Sequence, residues 1–156
     1  MSAVGLIPEF VLKAVSERPF QLLELCRELP DGWWTWQPHP EVRSIRGILV
    51  HMMEAEEHWI ARVVLGGTRR EWEPSGFGSP DALAAVWRPV RARTVEWLAS
   101  LDESARTETR KLRGHPYEAT LETIAWHLVT HDFHHKGQVC TRLAMLGVEV
   151  PDLDII

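Results

Sequence analysis

Two histidines, His131 and His135, are four residues apart in a segment with the apolar spacing of a helix. At this spacing their side chains lie one turn apart on the same helix face. Two such imidazoles can bind one metal ion through nitrogens about 2.1 Å away, which is the distance that zinc adopts. His127 lies one turn earlier and Gln138 one turn later on nearly the same stripe. The pair predicts a metal site, although the spacing alone is a weak signal.

His51 is the candidate for a third ligand, because it lies in an apolar run, Ile48–Glu54, of another helical segment. A lone histidine in such a run is more often a neutral core residue that hydrogen-bonds to the backbone. Here a second helix already carries a chelating pair. Three imidazoles from two helices would leave at least one coordination position open, which is typical of catalytic rather than structural metal sites.

Several of the eight histidines have a simpler explanation as surface residues of an acidic protein. This interpretation suits His39, His115 and His134. His58 follows His51 by seven residues, which is two turns on roughly the same helix face. It therefore either lines the mouth of the site or is exposed to solvent.

Groups that would assist the metal are less well defined by the sequence. A ligating histidine needs a hydrogen-bond partner for its second ring nitrogen, and the acids nearest in sequence are Glu54, Glu122 and Asp132. Cys140 is a poor candidate nucleophile, because helical geometry places it about 180° from the His131 stripe. The order of residues predicts no catalytic acid or base.

Length and composition predict one globular domain, residues 1–156, large enough to bury a core without disulfides. Hydrophobic residues make up 45% and charged residues 25%, as in ordinary globular proteins. The net charge of −5 argues against nucleic-acid binding, which depends on a basic surface that neutralises phosphates. The short basic cluster Arg88–Arg93 fits the solvated face of a helix better than a DNA contact.

A cytoplasmic location without membrane insertion is expected. Residues 1–12 lack the basic start and cleavage site of a secretory signal. No run approaches the roughly 18 apolar residues that span a bilayer. The two cysteines, Cys26 and Cys140, fall in predicted helices and are expected to be reduced thiols, with a disulfide between them as the less favoured alternative.

Four amphipathic segments predict an all-α, four-helix bundle. Ser44, Asp81 and Thr120 are the predicted N-caps of the second, third and fourth helices. Pro19 predicts a kink or two short helices in the first segment, and Pro89 a kink or local boundary in the third. The predicted segments are residues 5–29, 44–65, 81–101 and 120–146.

Two connections are unusual in composition. Residues 32–40 contain three tryptophans among proline and glycine, so we expect a loop that folds back over the bundle. It either forms a pocket wall or simply fills the core. Residues 102–118 are polar and predict an irregular connection with a brief extended pairing.

Two of these motifs resemble a known family. Arg43–His51 resembles the start of the second helix in DinB/YfiT-like proteins, and Trp36–Pro38 is similar to the segment before it. His131–Gln138 resembles the last-helix signature of that family, in which a histidine, three residues and a second histidine precede a basic residue, glycine and glutamine. The ending between Leu146 and Asp152 is also similar. The likeness covers most of the chain.

The resemblance implies an up-down four-helix bundle with an unusual long connection, often as a homodimer. It also implies a divalent cation, most often zinc or nickel, held by His51, His131 and His135. Members with known activities include S-transferases and isomerases that use a low-molecular-weight thiol such as bacillithiol or mycothiol, and some hydrolases. The family name records induction by DNA damage and does not imply contact with DNA.

The leading hypothesis is therefore a metal-dependent thiol S-transferase or hydrolase that acts on a small-molecule substrate or thiol. The alternative is a non-catalytic, metal-stabilised stress-response or small-ligand-binding module, which the eight tryptophans motivate. A bundle that binds no metal is the third hypothesis. Imidazole suits several transition metals, so the sequence alone does not select one.

Overall fold

The computed structural model describes residues 5–155, which form four long helices and several short elements. The all-α four-helix bundle that the four amphipathic segments and the family resemblance predict is confirmed. A pair of short antiparallel strands precedes the last helix, with Thr109 opposite Thr120. The helices are α1 (Glu9–Cys26), α2 (Asp31–Trp34), α3 (Ile45–Glu56, continued by a π-helical segment, Glu57–Val64), α4 (Pro80–Ser100) and α5 (Leu121–Met145); the strands are β1 (Thr109–Lys111) and β2 (Glu118–Thr120).

The helix starts follow capping chemistry. The side-chain oxygens of Ser44 and Thr120 each accept the backbone N–H three residues later, so both predicted caps are confirmed. The prediction that Asp81 caps α4 is wrong, because Ser79 accepts that hydrogen bond instead. Pro80 then occupies the first helical position, where a missing N–H costs nothing. Asp81 lies in the first turn, where its negative charge is favourable.

Neither internal proline divides its helix. The first helix is shorter than predicted but continuous through Pro19, and α4 is continuous through Pro89. A proline removes the hydrogen bond to the carbonyl four residues earlier. For Pro19 that carbonyl belongs to Val15, and it accepts a hydrogen bond from Arg91 Nη1 at 2.9 Å. A side chain from another helix therefore satisfies the carbonyl that Pro19 leaves free.

The helices are arranged so that α1 and α3 each pack against both α4 and α5. Leu6 N donates to Leu101 O at 3.0 Å, so the start of α1 meets the end of α4. Arg142 Nε donates to Arg43 O at 3.0 Å, so the end of α5 meets the start of α3. The second and third long helices, α3 and α4, run in the same direction, and residues 65–79 form the long connection that returns the chain between them.

The core consists of two apolar clusters separated by a buried polar layer. One cluster surrounds Trp87 and takes in the second half of α1 and the first half of α3. The other surrounds Ile124 and takes in the first half of α1 and the π-helical segment. The polar layer lies between them on all four long helices, and each of its members is at most 3% exposed: Arg18, Glu56, Arg91, Thr94 and Asp132.

Arg91 is the centre of the polar layer. Its Nη2 lies 2.8 Å from Asp132 Oδ1 and 2.9 Å from Glu56 Oε1, while Nη1 donates to Val15 O. One guanidinium from α4 thus binds α1, α3 and α5. Trp87 Nε1 also donates to Glu56 Oε1, at 2.5 Å. Burial raises the pKa of Glu56 above its usual value, and Arg91 opposes that rise.

Of the three tryptophans in residues 32–40, Trp34 fills the core, as the simpler of the two interpretations predicts, whereas Trp33 and Trp36 are half-buried. Trp34 is 5% exposed, and its Nε1 donates to Phe77 O at 2.9 Å. The predicted extended pairing between the third and fourth long helices is confirmed by β1 and β2. Within residues 5–155, no helix combines the length and apolar character needed to cross a membrane.

Replacing Arg91 with alanine should lower the free energy of unfolding by about 3–5 kcal/mol, because two buried carboxylates lose their countercharge. Urea denaturation at neutral pH measures the effect. Arg88→Ala is the matched control, since Arg88 lies on the exposed side of the same helix and its guanidinium stacks on the Phe20 ring at 4.5 Å. It should cost about 1 kcal/mol or less. Equal losses in the two variants would contradict the central role of Arg91.

Candidate metal centre

The structure brings the three predicted ligands together from two helices. His51 comes from α3, and His131 and His135 come from α5. The Nε2 atom of His131 lies 3.2 Å from Nε2 of His51 and 3.1 Å from Nε2 of His135. One nitrogen from each ring lies within 4.8 Å of the other two.

The short distances between these nitrogens are explained better by a shared cation than by hydrogen bonds between the rings. A neutral imidazole carries one N–H, so Nε2 of His131 can donate to at most one of its two neighbours. Nδ1 of His135 lies 2.8 Å from Gln138 Oε1, an acceptor, which assigns the proton of His135 to Nδ1 and leaves its Nε2 with a lone pair. Ligand nitrogens about 2.1 Å from one ion lie roughly 3.0–3.4 Å apart at octahedral or tetrahedral angles. The donor set and the two separations that His131 makes, 3.2 and 3.1 Å, therefore fit a divalent cation.

Gln138 is the hydrogen-bond partner that the site needs for His135. Its amide oxygen accepts from His135, and its amide nitrogen lies 3.2 Å from Nε2 of His134. Such partners fix the tautomer and orientation of a ligating ring. Gln138 follows His135 by three residues and so lies on the histidine stripe of the sequence. This spacing could have identified it as a partner, although it is not an acid.

None of the three acids nearest in sequence hydrogen-bonds to a candidate ligand histidine. Asp132 is bound to Arg91 in the polar layer. Glu54 Oε1 accepts the backbone N–H of Trp72 at 3.1 Å. Glu122, in the first turn of α5, lies 3.6 Å from Nε of Arg106. An amide rather than a carboxylate therefore orients the site, and it adds no negative charge.

The three imidazoles are neutral at physiological pH. Burial lowers the pKa of His131 to about 3, with a further contribution from His135 and His51. Burial also lowers the pKa of His51 to about 4, and the Arg43 guanidinium adds to that effect. Burial also lowers the pKa of His135. Neutral imidazole is the form that binds metals, so these rings do not have to lose a proton at pH 7.

A cavity of about 400 Å³ opens beside His51 and His131. This volume is within the range of small-molecule sites. Trp59 forms one wall, with ring centroids 5.2 Å from His58 and 4.9 Å from His127. His58 thus lies at the mouth of the site, one of its two expected positions. We call this cavity the histidine pocket; its lining residues are His51, Glu54, Ala55, His58, Trp59, Arg69, His127 and His131.

The π-helical segment carries both His58 and Trp59. In it, Leu65 N bonds to Ile60 O, five residues earlier, at 3.0 Å. The wider turn changes the angular position of each side chain relative to an α-helix. This local winding is not evident from the apolar spacing, so the wall formed by Trp59 was not predicted.

The cysteines lie outside this pocket, and both are free thiols. Burial raises the pKa of Cys26 to about 12 and also raises that of Cys140. Both therefore remain protonated near pH 7, which agrees with the weak case for Cys140 as a nucleophile. A larger open groove of about 690 Å³ between α1 and the C-terminal residues is lined by Phe20 and Leu153 and is separate from the histidines.

Comparison with known proteins matches residues 6–156 to the model of the DinB family. Three solved structures share the fold. A DinB-like protein from Bacillus cereus ATCC 10987 is 18% identical, with a TM-score of 0.69. The alignment covers 90% of this chain and 91% of the Bacillus cereus protein. YfiT from Bacillus subtilis, described as a probable metal-dependent hydrolase with an unusual four-helix bundle topology, is 15% identical with a TM-score of 0.67 and coverages of 89% and 87%.

The third is the DinB-like protein YjoA from Bacillus subtilis, which is 17% identical with a TM-score of 0.65. The alignment covers 92% of this chain and 97% of YjoA. At these identities the three structures show a common fold. No curated protein matches the chain.

The metal-free protein should lose stability as the pH falls from 6.5 towards 4. The unfolded chain protonates His51 and His131 near their ordinary pKa of 6.5, whereas the folded chain resists protonation down to about 4 and about 3. The unfolded state then binds more protons, so acid favours unfolding. Melting temperatures in the presence of a chelator measure this. The slope should flatten in His51→Gln/His131→Gln and persist in His39→Gln/His115→Gln; identical slopes would contradict the assignment.

Truncating Gln138 to alanine should weaken zinc binding by about 10- to 100-fold, because His135 loses the partner that orients its ring. Competition with a chelating dye measures the affinity. Gln21→Ala is the control, since Gln21 bonds to Arg18 on α1 rather than to a histidine. An unchanged affinity in Gln138→Ala would show that the hydrogen bond to His135 has no part in metal binding.

Proposed function

This chain belongs to the DinB family, and we propose that it is a divalent-metal-dependent enzyme whose reaction is thiol S-transfer or hydrolysis of a small molecule. The observation that carries the proposal is the convergence of His51, His131 and His135 at one end of an open pocket. A purely structural site would be closed by a fourth protein ligand. Among the described residues the metal-ligand group has three histidines, and the pocket lies directly beside two of them.

In this proposal the three histidines hold the cation, and Gln138 fixes the orientation of His135. A divalent ion with an open position supplies a nucleophile near neutral pH by lowering the pKa of a water or thiol. Glu54, His58 and His127 line the same pocket, and each can take up the proton that the nucleophile loses. Burial lowers the pKa of His58 and of His127, so both are free to accept a proton at pH 7.

Three imidazoles suit transition ions rather than magnesium or calcium. Among the transition ions, zinc or nickel is proposed from family membership. In the S-transferase version a low-molecular-weight thiol is the cofactor. The description of Bacillus subtilis YfiT as a probable metal-dependent hydrolase supports the hydrolase version. A homodimer is proposed from family membership, and a cytoplasmic location from the free thiols of Cys26 and Cys140.

A non-catalytic binding module is the competing hypothesis, and its main motivation was the number of tryptophans. Two of them, Trp34 and Trp87, have a structural explanation, since both are buried in the core. Trp59 instead faces the histidine pocket, where it can contact a bound molecule. The pocket itself suits either hypothesis. The group of three histidines supports the enzyme, because it leaves a coordination position open, which a metal that only stabilises the fold does not need.

Untagged protein should contain about one divalent ion per chain, as expected for a single three-histidine site. His51→Ala and His131→Ala should each lose the ion, whereas His115→Ala should retain it, since His115 is exposed and stacks on Tyr117. Elemental mass spectrometry gives the metal content. Absence of metal from the wild type after reconstitution with zinc and nickel would overturn the proposal.

The reaction type is then tested on the loaded protein with two assays, hydrolysis of aryl esters and addition of small thiols to electrophiles. Activity in one assay that disappears in His131→Ala and on chelation would select that reaction. A fully loaded protein that is inactive in both would support the non-catalytic hypothesis.

A further inference from the structure

A second cavity of about 510 Å³ adjoins the histidine pocket. The two share Arg69, which lines both. We call the second cavity the arginine pocket, since three of its six lining residues are arginines. They come from the π-helical segment, the long connection and the turn between β1 and β2; the full lining is Arg62, Gly67, Thr68, Arg69, Glu71 and Arg113.

The arginine pocket carries an excess of positive charge in an acidic chain. Arg69 is bound to Glu71, with Nε at 3.0 Å and Nη2 at 2.5 Å from the same carboxylate oxygen. Arg62 and Arg113 have no carboxylate within salt-bridge distance among residues 5–155. Three guanidinium groups therefore face one carboxylate that is itself 69% exposed. The net charge of the whole chain is −5, so this surplus is local.

Neighbouring arginines have carboxylate partners, which sets the arginine pocket apart from its surroundings. Arg70 and Arg93 both bind the buried carboxylate of Glu57, at 2.7 and 2.9 Å. Arg110 lies 2.8 Å from Glu108. Nearby arginines on the same side of the bundle thus have fixed partners, whereas Arg62 and Arg113 remain available to an anion from solution.

The charge of the arginine pocket reaches the histidine pocket. Burial is the main cause that lowers the pKa of His58, and the guanidinium groups of Arg69 and Arg62 lower it further. Trp59 lies beside His58 and offers an apolar face between the arginines and His127. The two adjoining pockets thus combine arginine cations, the aromatic wall of Trp59 and two of the three candidate ligands, His51 and His131.

We propose that the small molecule bound at the three histidines carries a carboxylate or phosphate group that Arg62, Arg69 and Arg113 bind. Guanidinium groups bind both anions through paired, charge-assisted hydrogen bonds. The combined cavities, about 400 and 510 Å³, suit a small organic acid with an apolar body rather than a polymer. The identity of the reacting end rests on the proposed function; the anion site does not depend on metal.

The anion site is tested first on metal-free protein, by calorimetric titration with inorganic phosphate. Wild type should bind phosphate at millimolar concentration. Arg62→Gln/Arg113→Gln should bind it at least about tenfold more weakly, because two charged donors are lost. Arg88→Gln is the matched control and should equal the wild type. Thermal unfolding checks that each variant is folded. No phosphate binding to wild type, or equal binding to the double variant, would overturn the proposal.

The link to the histidines is tested on zinc-loaded protein with two matched pairs of probes. One pair is 4-phenylbutyrate and its amide, which represent a substrate; the other is 3-mercaptopropionate and its amide, which represent a thiol cofactor. In wild type the acid of at least one pair should bind about tenfold more tightly than its amide. That preference should disappear in Arg62→Gln/Arg113→Gln, and the pair that shows it identifies the source of the anion.

A preference for the acid that survives in the double variant would assign the carboxylate to the zinc ion and overturn the proposal. The two proposals can fail separately. If the protein holds no metal but its phosphate affinity depends on the arginines, the enzyme proposal fails and the anion site stands. If the metal is bound by the histidines but the arginine variants change nothing, only the anion site fails.

Discussion

The buried guanidinium of Arg91 constrains the rest of this bundle. It binds carboxylates from two other helices and the backbone of a third, and each of these groups would be left unpaired in the core if its helix slipped by one turn. Apolar packing alone tolerates such slips more readily, because one aliphatic side chain can replace another. Asp132 is adjacent to His131 in sequence, so the ion pair that joins α4 to α5 also fixes the height at which His131 faces His51.

Pro19 is part of the same arrangement. Its missing N–H frees the carbonyl of Val15, and Arg91 uses that carbonyl as its third acceptor. A proline in the middle of a helix usually costs stability, but here the unpaired acceptor is supplied with a donor from α4. Thr94 and Arg18 hydrogen-bond within their own helices, whereas the hydrogen bonds of Arg91 join α4 to α1 and α5. These contacts between helices give the bundle a defined register.

The charge balance of the candidate metal centre connects it to its surroundings. Three neutral imidazoles and an amide bring no negative charge, so the charge of a bound dication is not compensated by its protein ligands. Arg43 adds positive charge near His51, and Arg69 adds more in the adjoining pocket. Such a site attracts anions and favours the deprotonated form of a bound nucleophile. The same field disfavours protonation of the imidazoles themselves.

Sequence periodicity determined the four long helices, the caps at Ser44 and Thr120, and the histidine spacing on α5, since these depend on neighbours within a few residues. The predicted cap at Asp81 was wrong because Ser79 is the N-cap and Pro80 occupies the first position of the helix. The support of His135 by Gln138 is also local, since the two lie one turn apart on α5. Tertiary structure alone decided that Pro19 leaves α1 intact and that arginines from three separate elements share one cavity. Those outcomes depend on partners far apart in the chain, whose distances are set only when the helices pack.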